Sequence, residues 1–196
     1  MVRILLGIII GVILVPISLL GWFWFGKVPV AVADPPIPHE RLIVGFPLRA
    51  RIGREMPKKP PILIDEDNFI AGAHVYREKC AVCHGFHGKP ALIGAHMFPA
   101  APPLWERHAN SDVVGVSDDD PGETYWKVAN GIRLTGMPAY KSLLTSNEIW
   151  QVSLLLSNAD KPLPPAAVEL LRGDTPPAPA PAADPAPKPQ KTASAK

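Results

Sequence analysis

The longest uninterrupted apolar run in the chain lies at its amino terminus. Residues 4–25 read ILLGIIIGVILVPISLLGWFWF and contain no charged side chain. A helix of this length spans the ~30 Å hydrocarbon core of a bilayer. We therefore predict a transmembrane anchor over residues 1–25. A cleaved signal peptide is the alternative, because AVAD at 31–34 resembles a cleavage site. The apolar core of such peptides is, however, only ~7–15 residues long.

Apolar residues at helical spacing return in the region 65–161. Three helices are predicted there: from about Asp67 to Cys80 with Asp67 or Asn68 as its cap, from Asp120–Pro121 to Asn130–Gly131, and from the capping-box pair Thr145 and Glu148 onward. A stretch rich in Gly and Pro, 85–104, separates the first two helices. No alternating strand pattern is present. The pattern predicts one all-α domain with long loops over 65–161.

The regions on either side of this domain are rich in proline. Residues 26–64 carry seven Lys and Arg against three Asp and Glu and are interpreted as an extended basic linker. Within them, RLIVGFPLRARI has some apolar alternation, and both the domain surface and the bilayer surface are open as its position. Residues 162–196 are rich in Pro and Ala and predict a disordered tail.

Charge and cysteine content exclude several classes of function. The chain has 196 residues and a formal net charge of +2, which indicates no nucleic-acid or polyanion partner. Two cysteines cannot form a disulfide framework.

Both cysteines lie in the stretch EKCAVCHGFHG, as Cys80 and Cys83, with His84 directly after them. A thioredoxin-like redox pair expects a βαβ context, which the pattern lacks. A zinc site would need distant histidines to complete four ligands, and a Cys80–Cys83 disulfide leaves His84 unexplained. The Cys-x-x-Cys-His pattern is typical of c-type haem attachment, in which two thiols form thioethers and the imidazole binds the iron. We predict one covalent haem c.

Met137, in TGMPAY, is the predicted second axial ligand of the iron. Pro138 biases the residue before it toward extended backbone, and Gly136 permits a tight turn. A thioether in this position raises the reduction potential. Competing ligands are Met97 and four histidines that could make a bis-histidine site: His74, His87, His96 and His108.

Taken together, GAHVYREKCAVCHG, PPL at 102–104, YWKVANGIRLTGMPAY and LTSNEIWQVSLLL resemble the class I cytochrome c family over about 68–158. The resemblance implies a small helical domain around the haem, with Gly72 where the first and last helices cross. It also implies that the carbonyl of Pro102 accepts a hydrogen bond from His84, and that Met137 lies in the axial-methionine loop.

The function implied is that of a membrane-anchored monohaem cytochrome c. It would carry single electrons between respiratory redox proteins, either free-standing or as a subunit of a membrane oxidoreductase complex. No small-molecule substrate and no enzyme activity of its own are expected. The expected location is the bacterial inner membrane, with the haem domain on the periplasmic side. A haem enzyme or gas sensor with a labile sixth ligand is the alternative, and a structural module without haem is a third possibility.

Overall fold

A computed structural model describes residues 1–174 of the chain. Within these residues the secondary structure is helical, with no strand beyond two isolated β-bridges. The helices are α1 Val2–Phe25, α2 Glu40–Glu55, α3 Glu66–Val75, α4 Ala81–His84, α5 Leu92–Ala95, α6 Pro121–Asn130, α7 Ser146–Leu156 and α8 Pro165–Leu171; a π-helical turn, Tyr76–Cys80, joins α3 to α4. The predicted all-α class is confirmed.

Helix α1 is the membrane-spanning candidate. It has 24 residues, its mean hydropathy is 2.8, and none of it is buried against the rest of the described chain. At a rise of about 1.5 Å per residue it is about 36 Å long, which exceeds the hydrocarbon thickness of a bilayer. Length and composition therefore permit it to cross a membrane.

The prediction of an extended linker over 26–64 is wrong for its middle part. Helix α2 occupies Glu40–Glu55 and packs on α6 through Ile52, which is 2% exposed. The Trp126 indole N–H of α6 donates to the Glu55 carboxylate at 3.0 Å. Prolines on both sides of α2, and Pro47 within it, dominated the composition of the region and concealed this helix, which is held by contacts with a distant segment.

The core is formed mainly by α3, α6 and α7, with the α3–α7 crossing as its most extensive contact. Gly72 of α3 lies at this crossing, where a Cβ atom would collide with the backbone of Gln151 in α7. The predicted helix over Asp67–Cys80 is present, but Asp65 caps it, because its carboxylate accepts from the Asn68 backbone N–H at 2.9 Å. The capping box of Thr145 and Glu148 is formed as predicted.

The predicted tail begins too early. Helix α8 follows Pro164 and contacts α3, and its residues Ala167 and Leu171 are 0% and 2% exposed. These two residues are four positions apart and so lie on one helix face. The short apolar stripe inside Pro/Ala-rich sequence is therefore part of the folded domain. The remainder of the predicted tail, 175–196, lies outside the described residues.

Candidate functional site

The Cys-Cys-His segment lies at the end of the first core helix. The chain leaves α3 through the π-helical turn Tyr76–Cys80 and continues as the single turn α4, which ends at His84. Single π-helical turns inside or beside α-helices often occur at functional sites. Gly85 stops the helix at φ +77°, a backbone conformation that favours glycine. The buried Tyr76 hydroxyl donates to the Gly85 carbonyl at 2.6 Å and so holds the residue that follows His84.

The His84 imidazole is oriented by a single backbone contact. Its Nδ1 lies 2.8 Å from the carbonyl oxygen of Pro102, the hydrogen bond that the family resemblance implied. Because a carbonyl only accepts, Nδ1 carries the proton and Nε2 keeps its lone pair for a metal. Burial lowers the pKa of His84, and the hydrogen bond to Pro102 opposes this effect. The ring is therefore neutral at physiological pH, the form that binds iron.

The two thiols are free and half-buried. Burial, with a further contribution from Cys83, raises the pKa of Cys80 to about 12. Over the described range 1–174, no group of three or more His, Cys, Asp and Glu side chains is arranged to hold a metal ion. The thiols therefore lack the additional ligands that a zinc site requires.

Met137 is presented by a loop with its own hydrogen bonds. The Ile132 N–H donates to the Met137 carbonyl at 3.3 Å. The Thr135 hydroxyl donates to the Ile132 carbonyl at 2.7 Å and accepts from the Met137 N–H at 3.1 Å. Gly131, at φ +65°, lets the backbone of Pro138 approach closely. The thioether is half-buried and packs against the hydrophobic core.

A second contact fastens this loop to the Cys-Cys-His segment. The Tyr140 hydroxyl donates to the carbonyl of Lys79, the residue before Cys80, at 2.8 Å across 61 positions of sequence. The fold thus brings the Met137 loop back to the start of the Cys-Cys-His segment.

One family model matches the chain over residues 67–154, and its description is "Cytochrome C oxidase, cbb3-type, subunit III". The matched region runs from the first turn of α3 to the last turn of α7 and includes Cys80, Cys83, His84 and Met137. The chain contains a c-type cytochrome domain. No curated protein and no solved structure matches the chain.

A c-type cytochrome domain implies covalently bound haem c, and the residues of this one fit such a group. Two unpaired thiols, an imidazole with a free Nε2 and a thioether from a separate loop are the donor set that haem c uses. One buried polar group adds to this. Trp105 is 6% exposed, and its indole N–H has no hydrogen-bond partner. The Tyr76 hydroxyl lies beside the indole and donates its own proton to the Gly85 carbonyl, and the contact between the two side chains lacks the geometry of a hydrogen bond.

Trp105 follows PPL directly, and its ring packs edge-to-face on Tyr76 at 5.4 Å between centroids. A buried donor without an acceptor costs free energy. An additional acceptor at this position, such as a haem carboxylate, would remove that cost. The domain thus contains both thiols that haem attachment requires, and the indole N–H of Trp105 is a buried donor that still needs an acceptor.

The competing ligands are placed less favourably. His74, His87, His96 and His108 are exposed on the surface of the cytochrome domain. Met97 is half-buried, and its terminal methyl occupies the space where a Cβ on Gly136 would lie. Met97 therefore packs against the Met137 loop, and Met137 stays the predicted axial ligand.

Sequence reasoning missed three contacts that support the site. Tyr140 was visible only as an aromatic residue after the Met-Pro pair. The hydrogen bond from Tyr76 to Gly85 requires a turn that the sequence does not show. Gly94 of α5 lies so close to the Cys83 carbonyl that any Cβ would collide with it; its only signal was a glycine in an otherwise apolar run.

Proposed function

We propose that the protein is a membrane-anchored monohaem cytochrome c that carries single electrons between respiratory redox proteins. The observation that carries the proposal is the geometry of His84, which follows the two thiols and is held through Nδ1 by the Pro102 carbonyl. This arrangement leaves Nε2 as the donor for a metal and fixes the ring plane.

Each candidate residue has a separate task in this proposal. Cys80 and Cys83 would hold the haem through thioether bonds, and His84 and Met137 would fill the two axial positions. Bound haem c supplies reversible one-electron chemistry at iron. The chain's own contribution is rigidity: Pro102 orients the imidazole, and the hydrogen-bonded loop 131–138 restrains the thioether.

Membrane anchoring is assigned to α1. Arg3 before the apolar run favours an amino terminus on the cytoplasmic side. With that orientation the cytochrome domain would lie on the periplasmic side of the bacterial inner membrane. The domain would then meet its electron donor and acceptor at the membrane surface. Such redox encounters are weak and small in area.

Two settings follow for this electron carrier. It works as a free-standing shuttle, or it is the cytochrome subunit of a larger membrane oxidoreductase. The description of the matched family names a subunit of a cytochrome c oxidase, which supports the second setting in an oxygen-reducing complex. In both settings the chain itself converts no small-molecule substrate.

The test uses the full-length protein matured with haem, with Met137→Ala as the variant and Met97→Ala as the matched control. Intact mass should show one added haem in all three proteins. The wild type and the control should show a low-spin spectrum with a weak far-red sulfur-to-iron band. Met137→Ala should keep the haem, lose that band, have a lower potential and bind added ligands.

Each outcome bears on a different part of the proposal. No added porphyrin mass would overturn the haem assignment altogether. An unchanged spectrum in Met137→Ala would remove Met137 from the site, and loss of the band in Met97→Ala together with that result would assign the ligand to Met97. A wild-type ferrous form that readily takes up carbon monoxide would favour an enzyme or gas sensor over a carrier. Release of the protein from membranes by alkaline extraction would refute anchoring through α1.

A further inference from the structure

Helix α2 is not part of the region matched by the family model, yet it is fixed to the cytochrome domain. Its carboxy-terminal half is buried through Ile52 and tied to α6 by the hydrogen bond between Glu55 and Trp126. The Arg51 guanidinium lies 5.7 Å from the centroid of the Trp126 ring, within the range of a cation–π interaction. The space between α2 and the domain is therefore a defined part of the fold.

That space is a groove of about 860 Å³, within the range of about 300–1,000 Å³ that small-molecule sites occupy. Helix α2 forms one side, and the end of α6 with the loop 131–135 and Phe98–Pro99 forms the other. Most of the wall is apolar: Val44, Pro47, Leu48, Phe98, Pro99, Ile132 and Leu134.

The charged side chains of the groove are mainly basic. They are Arg41, Arg51 and Arg133, against one acid, Glu40. Arg51 is already paired with Glu55 at 2.9 Å, and the Glu40 carboxylate accepts from the Ile37 N–H at 3.0 Å. Arg41 and Arg133 make no ion pair with any residue from 1 to 174. The groove thus offers two unpaired guanidinium groups beside an apolar wall.

The backbone of Leu134 supports the interpretation of this wall as a binding surface. Leu134 has a φ of +62°, a left-handed conformation that is uncommon for a bulky residue and costs free energy. The side chain that this conformation displays is 80% exposed although it is apolar. This strained backbone conformation does not bury the Leu134 side chain, so it adds nothing to the hydrophobic core. It exposes an apolar side chain on the wall of the groove instead.

The position of α2 in the sequence, shortly after the membrane-spanning candidate α1, indicates that a ligand of the groove could come from the membrane. Residues 26–39, the 14 positions between α1 and α2, reach at most about 50 Å when fully extended. The groove therefore stays within reach of the bilayer that α1 enters. Phospholipids of that bilayer combine a phosphate, which guanidinium groups bind well, with acyl chains that suit an apolar wall.

We propose that the groove binds one anionic phospholipid, with its phosphate on Arg41 and Arg133 and part of an acyl chain along Val44, Leu48 and Leu134. The proposal rests on the anchoring part of the proposed function and is independent of the haem. A lipid held in this way joins α2 to the membrane surface and limits the distance over which the cytochrome domain moves.

The test is lipid retention by the full-length, haem-loaded protein in non-ionic detergent, measured by native mass spectrometry. Phosphatidylglycerol and phosphatidylcholine are titrated separately. The variant combines Arg41→Gln with Arg133→Gln. The matched control combines Arg49→Gln with Arg54→Gln, which remove the same charge from α2 outside the groove. Lipid bound by α1 is common to all proteins, so the difference between variants reports on the groove.

We expect one preferentially retained phosphatidylglycerol per chain in the wild type and the control. An arginine near an anionic surface is worth roughly fivefold in affinity, so the groove variant should bind about 25-fold more weakly. Equal losses in both variants would indicate diffuse surface charge and overturn the site. So would equal retention of the two lipids by the wild type, or no retention at all.

A measurement of reduction potential separates this proposal from a role of Arg133 at the haem. Arg133 takes no part in the hydrogen bonds that hold the Met137 loop, which join Ile132, Thr135 and Met137. The lipid site therefore predicts that Arg133→Gln alone leaves the potential and the visible spectrum unchanged in detergent and weakens phosphatidylglycerol retention. A shifted potential with undiminished lipid retention would assign Arg133 to the haem and refute the lipid site. Haem loading and alkaline extraction are scored independently, so failure of the proposed function is recognised separately.

Discussion

The crossing of α3 and α7 leaves room for a hydrogen atom only at Gly72, and this makes a quantitative prediction possible. An alanine Cβ at this position would lie 2.7 Å from the Gln151 carbonyl carbon and 3.2 Å from the Leu155 Cβ. Both contacts involve α7 itself, so relief requires that one whole helix moves. The site cannot relax by rotating a flexible side chain.

Two opposing effects set the expected cost of Gly72→Ala. Overpacking a core costs about 1–3 kcal/mol, whereas alanine in place of glycine inside a helix recovers about 1 kcal/mol. Because the added Cβ would meet the backbone of α7, the upper part of the overpacking range applies, about 2–3 kcal/mol, and we expect a net loss of about 1–2 kcal/mol in the free energy of unfolding. Gly72→Val is larger and β-branched and should lose about 3 kcal/mol. For a domain of this size, each kcal/mol lowers Tm by about 4–8 °C.

Guanidinium unfolding of the haem-loaded protein in detergent measures these losses, with the midpoint reporting stability and the slope checking two-state behaviour. Gly53→Ala is the matched control, because no atom lies within 4 Å of its added Cβ in α2. The control should be as stable as the wild type or slightly more stable. A Gly72→Ala protein with wild-type stability would show that the helices do not cross at this distance.

Three further predictions concern the contacts around the core. Tyr140→Phe removes the partly buried hydrogen bond to the Lys79 carbonyl and should lower the free energy of unfolding by about 1 kcal/mol. It should also speed the binding of added imidazole to the ferric protein, and an unchanged rate would contradict the claim that Tyr140 restrains the Met137 loop. Leu171→Ala should lower the free energy of unfolding by about 2–5 kcal/mol, and a loss below 0.5 kcal/mol would show that α8 is not part of the cooperative domain. Hydrogen bonds from Arg51 and then Trp126 hold the pKa of Glu55 below its ordinary value of 4.5. The contribution of the Glu55–Trp126 hydrogen bond to the docking of α2 should therefore be complete above pH 4.5 and be lost as the pH falls through the lowered pKa. A spin label on α2 should become more mobile in acid, and in Glu55→Ala at every pH, because alanine offers no acceptor to the Trp126 indole; mobility that does not depend on pH in the wild type would refute this role.

Local patterns were sufficient for the parts of this protein whose physics is local. The apolar run of α1, the Thr145–Glu148 capping box and the Cys-x-x-Cys-His spacing each depend on residues within one element. They predicted the membrane-spanning candidate, the start of α7 and the c-type cytochrome class. The family comparison agrees with that class over 67–154.

Contacts between distant segments could not be read in the same way. Helices α2 and α8 are short or interrupted by proline, and their stability comes from burying Ile52, Ala167 and Leu171 against elements far away in sequence. Composition describes a segment alone, and it therefore suggested a linker and a tail.

The same distinction between local patterns and contacts of distant segments applies to the candidate site. The sequence proposed Cys80, Cys83, His84 and Met137 as haem ligands from chemical type, spacing and family resemblance. Tertiary structure alone decided that Tyr140 fastens the Met137 loop to Lys79, that Trp105 is buried without an acceptor, and that a basic groove lies beside α2. A hydrogen bond or a groove between remote segments exists only once packing has brought their atoms within a few ångströms, and no periodicity along the chain encodes that distance.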